Sequence, residues 1–290
     1  MQKAVFAERR GLYGSRLGFA ALNYGFYILL VVAIGAFLYY LYNFRAFLLL
    51  DLPVLLEGAG LTIVLSLISM VLATIFGFIG ALGRLSRFAP IRWLAFVYVE
   101  VIRGSPILVQ LLLWGFGVST ALSTIGFDPY NIAYQIATLL QSNSLLPDPQ
   151  PFDAAFYGII GLSFNYGAYL TEVFRTGIES VDKGQGEAAL SLGMNSQQTM
   201  RHIILPQAIR ITIPPFTNYF ITLVQDTALL SAVGGVIELQ TTITALASTQ
   251  SSSPNRQLFV YVFGSLIFLF ICYPLAILSG FLEHRLARMD

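Results

Sequence analysis

Six stretches of predominantly apolar residues recur along the chain, at 24–42, 61–82, 93–117, 155–176, 216–236 and 258–282. Each approaches or exceeds the 20 or so residues that a helix needs to cross the hydrocarbon of a bilayer. Lipid offers no water to replace a missing hydrogen bond, so a spanning segment must satisfy its own backbone, and an isolated one can do so only as a helix. Charged residues make up 11% of the chain, against roughly 25% in a soluble domain. The expectation is an all-α polytopic membrane protein with six transmembrane helices.

Basic residues set the orientation, because short cytoplasmic loops collect Lys and Arg. Lys3, Arg9, Arg10 and Arg16 precede the first span, and Arg84, Arg87 and Arg92 lie between the second and third. Arg175, Lys183, Arg201 and Arg210 follow the fourth, while Arg285 and Arg288 follow the sixth. Thirteen of the sixteen basic residues thus share one side, with Arg45 and Arg256 opposite and Arg103 inside a span. Both termini are expected in the cytoplasm. A cleaved signal sequence is the alternative for the first span. Its long apolar region ends in LYYLYNF rather than at small residues, which favours an anchoring helix with an aromatic outer belt. The single cysteine, Cys272, precludes an internal disulfide and reads as a small packing residue.

One cytoplasmic segment, GQGEAALSLGMNSQQTMRHIILP at 184–206, is too polar for lipid and too regular for a slack linker. Ala188, Ala189 and Leu192 recur at helical spacing, and Gly193 stands where a left-handed residue would stop the helix. Asn195 and Gln198 have the spacing of a capping box. Met200, Ile203 and Ile204 edge a second helix, with Pro206 expected at its end. Two short helices hinged at a glycine form a part suited to being gripped.

Several residues at membrane depth need partners. Glu100 and Arg103 lie nearly one turn apart in the third span and can pair. Glu172 sits near the inner end of the fourth, and Asp226 mid-way along the fifth beside Gln225 and Asn218. An ionised group at the bilayer centre costs about 3 kcal/mol on insertion scales, so these face protein or a wet cavity. They either fix helix packing or line a pathway for a charged or zwitterionic solute. Breakers favour a pathway: Gly104 and Pro106 interrupt the third span, and Asn165, Tyr166, Gly167 and Tyr169 place hydrogen-bonding groups around small residues in the fourth. Gly77, Gly80 and Gly83 read as a helix–helix contact.

Between the third and fourth spans, 119–152 forms an outer insertion. Breakers at Asp128-Pro129, Asn143 and Leu146-Pro147 flank an apolar stripe of Ile132, Ile136, Leu139 and Leu140. It either closes the bundle or offers a ledge to an external partner. The Ser- and Thr-rich stretch 240–257 reads as a mobile connection.

No GxxxxGK[ST] phosphate loop occurs. His202 and His284 lack metal-ligand spacing, and no nucleophilic triad suggests itself. The chain does not read as an enzyme, a metal binder or a nucleic-acid binder.

Glu187-Ala188-Ala189, three residues, Gly193, nine residues, Ile203, one residue, Leu205-Pro206 matches the EAA signature of bacterial ABC-importer permeases in identity and spacing. The segments 97–114, 165–189, 205–221 and 225–239 resemble the polar amino-acid branch of that family, and the resemblance covers 58–285. It implies a type I ABC-importer permease fold of five core helices, preceded by 1–57 as a cytoplasmic segment with an extra helix. It also implies that 183–210 docks on a separate ATPase through Gly184, Gln185, Glu187, Ala188, Ala189, Gly193, Leu205 and Pro206.

The implied pathway residues are Glu100, Arg103, Gly104, Pro106, Asn165, Tyr169, Glu172 and Asp226. In that reading Arg103 meets a solute carboxylate, and Glu100 and Glu172 orient it or meet the amine. The implied partners are the ATPase, a second permease subunit, an extracytoplasmic solute-binding protein and the bacterial inner membrane. ATP and Mg would act through the ATPase, with no cofactor on this chain. Two departures stand out: the leading helix with its 119–152 insertion, and Gln225 where the branch commonly has Lys. The rival readings are an ion-coupled secondary carrier or channel, a permease for another small polar solute, and a structural or receptor component. No internal repeat of the carrier kind is visible.

Overall fold

The computed structural model describes residues 25–139, 148–250 and 252–286. Lys3, Arg9, Arg10, Arg16, Leu140, Asn143, Leu146-Pro147 and Arg288 lie outside the described residues. The chain divides into two compact units, 1–52 and 53–290. The first holds α1 (Gly25–Asn43) and the opening turns of α2 (Arg45–Arg84). Most of α1's large apolar side chains are exposed, as befits a helix whose solvent is lipid. The Arg45 guanidinium lies 4.3 Å from the centre of the Tyr42 ring, within the aromatic cluster that closes the first span.

Among its described residues the second unit contains the rest of α2 and nine further helices. They are α3 (Ala89–Arg103), α4 (Ile107–Thr124), α5 (Pro129–Leu139), α6 (Pro149–Glu179), α7 (Lys183–Ser191), α8 (Ser196–Thr199), α9 (Leu205–Asp226), α10 (Leu239–Thr249) and α11 (Pro254–Leu286). A π-helical stretch, Leu113–Val118, runs within α4, and another, Met200–Ile204, joins α8 to α9. A 3-10 turn, Thr227–Ala232, follows α9. No strand occurs among the described residues, so the all-α expectation holds.

Among the described residues α1, α2, α4 and α11 are long and apolar enough to cross a membrane by length and composition. The expected fourth span lies within α6, which rises about 46 Å. The expected fifth, 216–236, shares only 216–226 with α9, which begins eleven residues earlier and rises about 33 Å. Its second half is the 3-10 turn and a non-helical stretch. The polar content of these two helices has a structural reason: α6 is the inner helix of the bundle. Asn165, Ser163, Thr171 and Tyr166 are all buried on it. The Ser163 hydroxyl is bonded to the carbonyls of Ile159 at 2.6 Å and Ser69 at 3.2 Å. Phe164 carries edge-on contacts to Phe76, Tyr98 and Trp114, and the Tyr98 hydroxyl donates to the Phe164 carbonyl at 2.7 Å. One turn of α6 therefore fastens α2, α3 and α4 together.

Close approach of α2 depends on its glycines. A Cβ at Gly77 would stand 2.6 Å from the Leu170 Cβ, one at Gly80 would strike the Thr171 side chain, and one at Gly83 would come within 2.9 Å of the Ala95 Cβ. The expected helix–helix role of Gly77, Gly80 and Gly83 is met. A first core of Leu65, Leu111, Leu162, Leu170, Leu223 and Leu230 joins α2, α4, α6 and α9. A second, with Leu55, Leu239, Ile243 and Val260, joins α2, α10 and α11.

Several expectations need correction. The third span is broken outright into α3 and α4, and α4 runs to Thr124, six residues into the expected insertion. Pro206 does not end a helix. The wider turn at Met200–Ile204 precedes its ring, where the missing N–H leaves a normal α-turn incomplete, and the Gln207 amide caps the Ile203 carbonyl at 2.9 Å. Asp226 lies at the C-terminal end of α9 rather than mid-helix.

The stretch read as a mobile connection contains α10. Glu238, fully buried, caps it by accepting the backbone N–H groups of Gln240 at 2.6 Å and Thr241 at 2.7 Å. The hydroxyls of Thr242 and Thr244 bond back to carbonyls four residues earlier. Serine and threonine that look linker-like in sequence are here absorbed by the helix itself.

The α2–α6 contact is testable with two matched substitutions. Gly80→Leu should lower the thermal midpoint of the detergent-solubilised protein, since forcing a side chain into filled space costs about 1–3 kcal/mol. Gly60→Leu, where no atom lies within 4 Å of a Cβ, should leave it unchanged.

Candidate functional site

Two sites emerge, one in the bundle and one at its polar end. The first begins with the break between α3 and α4. Pro106 has no N–H and disfavours helix in the residue before it, and its ψ of 132° makes it the extended N-cap of α4. The carbonyls left unpaired are met by Gln110, which is buried. Its amide donates to the Ile102 carbonyl at 2.7 Å, the Ser105 carbonyl at 3.1 Å and the Ser105 hydroxyl at 2.9 Å. Its own oxygen accepts from Asn165 on α6 at 3.1 Å. Gly104 fits beside the Glu100 carbonyl, 2.7 Å from where a Cβ would sit.

Beside this break lies a cavity of about 290 Å³ lined by Ser105, Pro106, Ile107, Asn165, Tyr166, Tyr169, Tyr219, Thr222 and Asp226. The buried Tyr166 hydroxyl donates to Asp226 at 2.6 Å. Tyr169 and Tyr219 meet with ring centres 5.4 Å apart. The Arg103 guanidinium lies 5.3 Å from the centre of the Tyr169 ring. A carboxylate and three phenol rings therefore line one small volume, with a guanidinium against one of those rings. That set can hold an ammonium against Asp226 and the aromatic faces, and a carboxylate against Arg103.

Of the expected pathway residues, Pro106, Asn165, Tyr169 and Asp226 line this cavity, Gly104 shapes the break beside it, and Arg103 lies against the Tyr169 ring without lining the cavity itself. Glu100 and Glu172 do not line it. The expected Glu100–Arg103 pair is absent: both side chains are exposed, and neither carries an ion pair among the described residues. Glu172 is engaged elsewhere. One oxygen is 2.7 Å from Arg175 and the other 3.3 Å from Arg84, in charge contact without hydrogen-bond geometry. Arg175 also pairs with Glu179. Glu172 thus ties α6 to the end of α2.

Sequence reasoning passed over Gln110, Tyr219 and Thr222, met Ser105 only within the 103–106 break, and named Tyr166 as a hydrogen-bonding flank without counting it among the pathway residues. The signal for the tyrosines and Gln110 was present: a hydroxyl or amide deep in an apolar span requires a partner.

The second site is the polar segment after α6. Asp182 caps α7 by accepting the Gly184 N–H at 2.6 Å. The helix ends in a Schellman arrangement, with Gly193 N–H to Leu190 at 3.0 Å and Met194 N–H to Ala189 at 3.1 Å. Gly193 has φ +87°, a conformation open to glycine at little cost. Asn195 and Gln198 form the expected capping box, both bonds 2.9 Å. Ala189 is turned inward and buried, whereas Gln185, Glu187, Ala188 and Leu192 face outward, Leu192 at 85% exposure. The outward face is thus Glu187, Ala188 and Leu192 rather than both alanines. Gly184 and Pro206 are exposed and Leu205 half-buried.

Removing the capping side chain should loosen α8 alone. Asn195→Ala should cost about 1 kcal/mol locally, read as roughly fivefold faster hydrogen exchange at the Gln198 amide with the global unfolding midpoint unchanged.

Residues 73–288 match the family described as binding-protein-dependent transport system inner membrane component. The chain is 35% identical over 236 residues to the L-cystine transport system permease protein TcyB of Bacillus subtilis (strain 168), covering 81% of this chain and 88% of that protein. It is 32% identical over 239 residues to the glutamate/aspartate import permease protein GltK of Escherichia coli O157:H7, covering 82% and 95%. A solved structure, an amino acid ABC transporter with histidines, superposes with a TM-score of 0.63 at 31% identity, covering 80% of this chain and 94% of that one.

Proposed function

The chain belongs to the family of binding-protein-dependent transport system inner membrane components, and from that premise we propose that it carries a polar amino acid into the cytoplasm as the membrane-spanning subunit of an ATP-driven importer. It holds no nucleotide site of its own in this reading. A separate ATPase subunit, with ATP and Mg, drives it through the α7–α8 segment, a second permease subunit completes the pathway, and an extracytoplasmic binding protein delivers the solute. Both termini and the α7–α8 segment face the cytoplasm.

The observation that carries the proposal is mechanical. Residues 196–226 are helical throughout, from the capping box at Asn195 to Asp226. One rod of about 46 Å therefore has the exposed coupling surface at one end and a cavity carboxylate at the other. Displacement of α7 and α8 by the ATPase moves Asp226 and Tyr219 relative to the broken α3–α4 wall. The π-helical turn at Met200–Ile204 is where such a rod bends without breaking. A solute biases the cycle because Asp226, Arg103 and the tyrosines bind it only in the state that closes them around it.

The relatives' named solutes, cystine and glutamate with aspartate, share the α-amino and α-carboxylate groups that the cavity is equipped to hold. Arg103 meets the carboxylate, Asp226 and the tyrosine faces meet the amine, and Glu172 stays with its arginines.

In vesicles containing the assembled importer, Arg103→Ala and Asp226→Asn should each lower uptake by about 10- to 100-fold, the loss of one charge-assisted bond, while the subunits still co-purify. Uptake by the chain alone on an ion gradient would overturn the reading. Orientation is checked separately: in a Cys272→Ser background, Ser196→Cys should react with a membrane-impermeant thiol reagent only after the cytoplasmic face is opened.

A further inference from the structure

At the basic ends of α2, α3 and α6, away from the solute cavity, lies a second pocket of about 430 Å³. Arg84, Arg92, Arg175 and Glu179 line it together with Trp93 and Phe96. The charges do not cancel. Arg84 and Arg175 share Glu172, and Arg175 also holds Glu179, which sets three guanidinium groups against two carboxylates. Arg92 is left over: it donates to the Ser86 carbonyl at 3.2 Å and has no carboxylate partner among the described residues.

The apolar part of the pocket points to the ligand's other half. Trp93 is 66% exposed while lining the pocket, and its neighbours Phe88 and Leu94 are exposed to a similar degree. Indole favours the boundary between headgroups and acyl chains. Arginine presents donors in a fork matched to phosphate oxygens. A free phosphate ion would use the guanidinium groups and leave the exposed ring and aliphatic rim without purpose. A lipid uses both.

We infer that this pocket binds the phosphate of an anionic phospholipid headgroup, with Arg92 as its main contact and Trp93 against the upper acyl chain. Arg84 and Arg175 stand within the same pocket, so the bound phosphate also adds negative charge beside the Glu172 lock between α2 and α6. The site does not depend on which solute is carried, nor on the transport reading.

The chain has two tryptophans, Trp93 and Trp114, so Trp114→Phe leaves Trp93 as the sole reporter. The full-length variant in lipid nanodiscs is titrated with acyl-brominated phosphatidylglycerol or phosphatidylcholine, and quenching of Trp93 is read. The anionic lipid should reach half-quenching at about fivefold lower mole fraction, the effect of one arginine near an anionic headgroup. Arg92→Gln should remove that preference and Arg92→Lys retain most of it. Equal quenching by the two lipids, or an anionic preference unchanged in Arg92→Gln, overturns the inference. So does relief of quenching by millimolar inorganic phosphate, which would make the pocket a free-anion site, or by the ATPase subunit, which would make it a protein contact.

Discussion

Burial of α6 inside the bundle is the constraint from which the other features follow. A helix surrounded by protein can carry Asn165, Ser163, Thr171 and Tyr166 at membrane depth, because neighbouring helices supply partners that lipid cannot. The Phe164 contacts and the glycines of α2 bring those neighbours close enough for the bonds to form. Once α6 is enclosed, Asn165 can reach Gln110, and Gln110 can satisfy the carbonyls exposed by the break before Pro106. The cavity exists because that break is tolerated, and the break is tolerated because α6 stands behind it.

The polar groups then separate by what they touch. Glu172 and Glu179 between them offset Arg84 and Arg175, and Glu172 joins two helices. Among the described residues, Asp226 has Tyr166 as its one side-chain hydrogen-bonding partner, and Arg103 has an aromatic face and no ion pair. Groups left partly unpaired beside a small cavity keep interaction capacity for a ligand, whereas Glu172 lies outside that cavity with an arginine against each of its oxygens. This distinction, rather than depth in the membrane, divides the charges proposed to meet solute from the structural ones. It also accounts for the basic pocket at the ends of α2 and α3, where Arg92 remains after the neighbouring arginines have been matched.

Much of this was legible in the chain alone. The apolar runs, the basic-residue asymmetry, the glycine contacts of α2 and the Asn195–Gln198 capping box are local properties, so spacing and residue type reveal them. Other readings failed for reasons equally physical. The 240–257 stretch looked like a linker because Ser and Thr are abundant there, yet a buried Glu238 cap and hydroxyls bonded within α10 make it helical. Pro206 looked like a terminus, but a π-helical turn preceding it carries the helix onward. Glu100 and Arg103 have the spacing to pair, but Arg103 takes the Tyr169 ring instead.

Sequence by itself determined the solvent, the helical class and the hinged form of the α7–α8 segment, since each depends on residues close together in the chain. Only tertiary structure decided which polar residues share a cavity. Ser105, Tyr166 and the pair Tyr219 and Asp226 come from three separate parts of the sequence, and their convergence depends on helix packing that no local pattern encodes. The same holds for Glu172: its two arginines lie on different helices, and only their meeting turns a candidate ligand for solute into a fastening between α2 and α6.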